Sequence, residues 1–444
     1  MQEKILQGKI STTLIGYAVP VILSMAATQF YSIADAMMVG TGLGSGALAA
    51  VSNGATVLQF FLFISGGMEL GGNLLVASIK KSRTGEELTK TVYNMIALDL
   101  AIGVVLMILG QVFLGNILNL INTPEMIFSQ AMLYTRIYLA GLPFQMGYDL
   151  MKQILMGYGD SRRPMCLVLL TTCFNIGMDA VLIYVIPLGV AGAAIASAAA
   201  QVIGMILCFG ILYRTILKQR LRWEYLGLGP MRELMRLSLP TIFQQIMGPF
   251  SSMVRQSLLG RIGVSAIAGF SAANSLSVFL LMPMAGCSQA LVVFTAQNLS
   301  AGQEKRTREA VRVSRWLTAG ITTALILLCV CFHEPLLSLY TSDREALSYG
   351  ALMLTHEPFF YYFYALRNIN ESRLRGYRKM KEYLISSIST TCLVVLFTWL
   401  LVGQIGFSGF YLATGAGNIL GLAVSGVLAS FLKKEKISGE RSGG

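Results

Sequence analysis

Residues 47–79 read ALAAVSNGATVLQFFLFISGGMELGGNLLVASI, and residues 266–299 read AIAGFSAANSLSVFLLMPMAGCSQALVVFTAQNL. Glu69 is the one charged residue in the first, and the second holds none. Either run exceeds the ~20 helical residues that cross ~30 Å of hydrocarbon. The two runs also match each other. ALAAVS (Ala47–Ser52) returns as AIAGFS (Ala266–Ser271), 219 positions later, and at that offset Phe60 meets Phe279, Gly67 meets Gly286 and Ala77 meets Ala296. One pair of segments thus points both to lipid as the surrounding solvent and to a duplicated architecture.

Working outward, apolar stretches of spanning length recur about twelve times. The predicted spans are 12–43, 47–79, 90–111, 128–157, 165–186, 190–215, 233–261, 266–299, 309–332, 346–376, 383–403 and 408–432. Pro20 matches Pro240 and Gly40 matches Gly260, one residue out of step. GYGDSRRP from Gly157 aligns with GYRKMKEY from Gly376, and GVAGAAIA from Gly189 with GFSGFYLA from Gly406. Six spans per half is an even number, so both copies share one orientation, related by a pseudo-two-fold axis along the membrane normal. The expected fold class is therefore all-α integral membrane: twelve transmembrane helices in two homologous six-helix bundles. The basic connection from Lys218 to Arg232 divides them, giving lobes of residues 1–220 and 221–444.

Composition agrees. Of 444 residues 55% are apolar and 13% charged, about half the charged share of a soluble domain. The net charge of +12 is gathered in alternate connections. Lys80, Lys81, Arg83 and Lys90 follow the second span; Arg162 and Arg163 follow the fourth; Arg214, Lys218, Arg220 and Arg222 follow the sixth. Lys305, Arg306, Arg308, Arg312 and Arg315 follow the eighth, Arg373, Arg375, Arg378, Lys379 and Lys381 the tenth, and Lys433, Lys434 and Lys436 the twelfth. This positive-inside pattern places both termini in the cytoplasm of a multi-pass cell-membrane protein, and it accounts for the charge without nucleic acid. The first apolar run is too long for a signal peptide. The seven cysteines lie in apolar stretches with no CxxC, which reads as small buried hydrophobes.

Ionisable groups inside spans are costly unless paired or hydrated, so they mark candidate function. Asp35 lies in the outer half of the first span. Asn175 and Asp179 are four apart on the fifth, and Ser197 and Gln201 four apart on the sixth, so each pair shares a helix face. Two carboxylates, an amide and a hydroxyl at similar depth suit a proton or, as oxygen ligands, sodium at Asp35, Asn175 and Asp179. A polar network that only fixes packing is the other reading. A deeper set, Glu69, Asp99, Asp149 and Lys152, reads either as a cytoplasmic gate or as water-accessible interface charges. In the second half Arg255 occupies the position of Asp35, and depth favours Glu357 as its structural ion-pair partner. Phe359, Tyr362 and Phe363 on one face of the tenth span, with Gln201, Met253 and Met282, offer a surface for lipophilic cations; the other reading is packed or lipid-facing side chains.

Together, Asp35-xxxx-Gly40, ALAAVS, AQNLSAG from Ala296, GYGDSRRP and GVAGAAIA resemble the helix-end motifs of the multidrug and toxic compound extrusion (MATE) transporters, over nearly the whole chain. The resemblance implies rocker-switch exchange of small organic cations or drugs for protons or sodium, with no cofactor and a monomeric protein in the lipid bilayer. It implies that the cation site of the prokaryotic amino-terminal-lobe branch falls on Asp35, Asn175, Asp179 and Ser197. A flippase for a lipid-linked oligosaccharide is the alternative, kept open by Arg255 and Arg367. An enzyme is disfavoured, because His333 and His356 are the only histidines and no HExxH, GxSxG or P-loop pattern occurs.

Overall fold

The computed structural model describes residues 2–80, 85–218, 223–341 and 343–441. Lys81, Arg83, Arg220 and Arg222 of the topology reading lie outside the described residues, as do the side chains of Lys433, Lys434 and Lys436. A short α1 (Gln2–Gln7) precedes α2 (Ile10–Leu43), α3 (Ser45–Ile79), α4 (Gly85–Leu120), α5 (Glu125–Gly157), α6 (Arg162–Ala180) and α7 (Val190–Leu212). The second half holds α8 (Leu228–Leu259), α9 (Val264–Ser300), α10 (Glu304–Ser338), α11 (Arg344–His356), α12 (Tyr361–Gly376), α13 (Met380–Ile405) and α14 (Ser408–Arg441). The fold is all-α, with six spans to each half.

Nine helices among the described residues are long and apolar enough to cross a bilayer by themselves. The other three spans are α5, α8 and the α11–α12 pair, which carry more polar and charged groups. The tenth span corrects its expectation of one unbroken helix. Pro358 lacks an N–H to donate, and the chain tightens into a 3-10 turn at Glu357–Phe360 between α11 and α12. π-helical turns extend α6 (Val181–Val185) and α7 (Tyr213–Leu217), and α10 kinks at Phe332. The cysteine expectation holds for Cys208, Cys287 and Cys329, whereas Cys166, Cys173, Cys331 and Cys392 face outward from apolar helices.

Contacts divide the chain into Met1–Gln2 with Pro20–Ile242, and Glu3–Val19 with Phe243–Gly444. In the first unit Val39, Val57, Leu114, Leu139, Met146 and Ala194 are among the core residues. Small residues let its helices approach closely. A Cβ on Gly157 would lie only 2.3 Å from the Asn73 carbonyl oxygen, and Asn73 itself donates to the Gln153 carbonyl at 3.1 Å, locking α3 to α5. In the second unit Leu259, Phe270, Cys329, Met353 and Phe410 are among the core residues. There Arg306 donates to the carbonyls of Ile5 and Gly8 at 3.2 and 2.8 Å, satisfying the end of α1.

The backbone repeats as the sequence does. Gly189 before α7 and Gly406 before α14 both take positive φ, 64° and 63°. The ends of α5 and α12 are closed by the same pair of bonds. Gly159 N–H reaches Met156 O and Asp160 N–H reaches Leu155 O; Arg378 N–H reaches Arg375 O and Lys379 N–H reaches Leu374 O. This is the Schellman closure, which wants glycine at its left-handed residue. The first copy has Gly159 there, and the second has Arg378 at φ 60°.

Candidate cation-coupling site

The first unit brings all four expected residues together. Asp35 on α2 and Asp179 on α6 are buried, with Asn175 and Ser197. One helical turn joins Asn175 to Asp179; with the amide turned to satisfy its neighbours, its nitrogen donates to Asp179 Oδ2 at 2.6 Å and its oxygen accepts from the Ser197 N–H at 3.2 Å. The Asp35 and Asp179 carboxylates lie within electrostatic reach of one another. Asp35 Oδ1 and Asp179 Oδ1 find no hydrogen-bond partner among the described residues. Two acidic oxygens left over in a buried site are acceptors for a proton or an oxygen-coordinated cation. Gln201, one turn beyond Ser197, is half-buried with its Oε1 also unpartnered.

Sequence reasoning missed the tyrosines. The Tyr31 hydroxyl lies 2.8 Å from Ser197 Oγ, and Tyr134 and Tyr138 of α5 interact electrostatically with Asp35. The signal was present: Tyr31 precedes Asp35 by one turn, and Tyr134 precedes Tyr138 by one turn.

The deeper acids form a second cluster in the same unit. Lys152 and Asp149 pair at 2.6 Å along α5. Ser65 donates to Glu69 at 3.4 Å, and Glu69 feels Asp149, Lys152 and Asp99 electrostatically. The reading of water-accessible charges does not hold for Asp99, which is 0% exposed with both carboxylate oxygens unpartnered. Tyr138 lies within electrostatic reach of Asp35 and Asp149 alike.

In the second unit the charges differ. The expected direct Arg255–Glu357 ion pair is not formed: the two interact only through space. Arg255 instead donates to Thr414 Oγ1 at 3.2 Å and lies over the rings of Phe270 and Phe410 at 4.9 and 6.0 Å. The tight turn at Glu357 sets that carboxylate near Cys329 and Tyr361 instead. Arg367 is held by Glu371 at 2.7 Å, and Glu371 also accepts from Ser386 at 2.9 Å. The break in the tenth span also undoes the single aromatic face. Phe359 sits exposed in the 3-10 turn, whereas Tyr362, in α12, bonds Thr323 of α10 at 2.7 Å. Phe363 is half-buried. Met282 is buried and Met253 is 75% exposed, so the two do not share a surface.

The MatE family model matches this chain twice, over residues 20–181 and 240–400, at the spacing of the internal repeat. The chain is 30% identical over 356 residues to the probable multidrug resistance protein YoeA of Bacillus subtilis, covering 76% of each. It is 25% identical over 426 residues to an FAD transporter of Shewanella oneidensis, covering 94% and 93%. A Vibrio cholerae MATE transporter, VcmN, solved as a point mutant, superposes with a TM-score of 0.91 at 19% identity, over 96% of this chain and 97% of that one. These matches favour a transporter over an enzyme or an oligosaccharide flippase. The chain belongs to the MatE family of multi-pass membrane transporters.

Proposed function

We propose that this transporter exports small organic cations or drugs in exchange for protons or sodium, and that Asp35, Asn175, Asp179 and Ser197 bind the coupling ion. The observation that carries the reading is the buried pair of carboxylates, Asp35 and Asp179, each with an unpartnered oxygen. Tyr31 positions Ser197 within the same site. The relatives described as multidrug resistance proteins support the substrate class. In this reading the lobes of the transport cycle are residues 1–220 and 221–444, the protein works as a monomer in the cell membrane, and both termini are cytoplasmic. The test is ethidium export from proteoliposomes driven separately by a proton and a sodium gradient. Asp35→Asn should abolish gradient-driven export while leaving the protein folded, and the gradient that drives the parent protein names the ion. Undiminished export by Asp35→Asn would overturn the assignment.

A second reading, export of an organic anion, is favoured by Arg255, which no carboxylate touches, and by the relative described as an FAD transporter. FAD flux in the same vesicles, lost in Arg255→Gln, would select it.

A further inference from the structure

The basic end of α10 holds a feature that ion coupling does not use. Arg308, Arg312 and Arg315 recur every three or four residues and so share one helix face. With Val311, Thr307, and Arg373 and Tyr377 of the α12 end they line a cavity of about 260 Å³. Among the described residues none of these four guanidinium groups lies within ion-pair distance of a carboxylate. Arg373 and Arg315 are close enough to repel each other. Like charges gathered without a counter-charge are destabilising unless an anion completes them. Guanidinium forks match the paired oxygens of a phosphate.

Depth says what carries that phosphate. Immediately beyond Arg315, residues 316–332 (WLTAGITTALILLCVCF) contain no acidic or basic residue. Trp316 opens this run 78% exposed, and tryptophan concentrates at the level of lipid headgroups. The cavity therefore sits where the hydrocarbon begins, at the positively charged end of the spans, which the positive-inside rule faces to the anionic inner leaflet.

We propose that this cavity binds the phosphate of an anionic phospholipid from that leaflet. The lipid neutralises the arginine cluster and holds the basic ends of α10 and α12 together.

Native mass spectrometry of the full chain in detergent, titrated in parallel with phosphatidylglycerol, cardiolipin and phosphatidylcholine, tests this. Anionic lipid should be retained and phosphatidylcholine should not. The triple variant Arg308→Gln/Arg312→Gln/Arg315→Gln should weaken retention on the order of a hundredfold, from roughly fivefold per arginine at the headgroup level. A charge-matched control, Arg162→Gln/Arg163→Gln/Arg214→Gln, should leave retention unchanged. Equal loss in the control would reduce the effect to diffuse basic charge and overturn the site. Displacement of lipid by millimolar inorganic phosphate would assign the cavity to a soluble oxyanion and overturn the lipid. Should the triple variant not fold, Arg312→Gln alone should still lower retention about fivefold, and no change there would equally sink the proposal.

Discussion

The two halves of this protein share a fold and carry opposite chemistry at matching positions. In the first, Asp35 on α2 lies within electrostatic reach of Asp179. In the second, the repeat-mate of Asp35 is Arg255, and that of Ser197 is Thr414, to which Arg255 is bonded. No acid answers Asp179, because α13 has no carboxylate after Glu382. Helix placement and chemistry have therefore diverged separately: apolar faces, glycines and helix closures preserve the bundle, while a handful of side chains decide what it binds. A carboxylate can take up and release a proton, whereas a guanidinium keeps its charge throughout. In the proposed cycle that contrast assigns ion exchange to the first half and a fixed charge to the second.

Four experiments sharpen or break the contrast. The largest effect is expected at the acids. Asp35→Asn and Asp179→Asn should each reduce gradient-driven export about a hundredfold or more, and the double variant should cost little beyond either, since members of one unit are non-additive. Multiplicative losses in initial transport rate would show two unconnected sites. Next comes Glu371→Gln, which strands Arg367, a group buried in an apolar bundle and unable to shed its charge. A loss of about 3 kcal/mol is expected in thermal or denaturant unfolding. Lys152→Met should cost less, about 2 kcal/mol: it removes the partner of Asp149, and a stranded carboxylate, unlike a guanidinium, has a neutral form open to it. If Lys152→Met proved the costlier, the acids would be locked in their charged form and the contrast between halves would fail.

The smallest effect tests the repeat itself. Arg378 holds the left-handed position that Gly159 fills in the first copy. Arg378→Gly should relieve that strain and raise stability by about 1 kcal/mol, with export unchanged. Gly159→Arg should cost a similar amount. Melting temperatures of the two variants should therefore move in opposite directions.

The membrane class, the number of spans and the duplication were legible in the sequence, because lipid demands long apolar runs and a repeated motif order is visible without coordinates; the break in the tenth span was not. The candidate residues Asp35, Asn175, Asp179 and Ser197 were legible for the same reason, since a polar group in hydrocarbon stands out. What tertiary structure alone decided were the partners. Depth along separate spans suggested Arg255 with Glu357, but a contact also depends on rotation about each helix axis and on local breaks. Pro358 and the tight turn at Glu357–Phe360 re-aimed that segment, leaving Arg255 to Thr414 and two aromatic rings. Tyr31, Tyr134 and Tyr138 joined the acids unannounced, because tyrosine is cheap enough in a membrane span to escape notice until packing turns it inward. Periodicity specifies which face of a helix is polar; only the packed bundle specifies which face it meets.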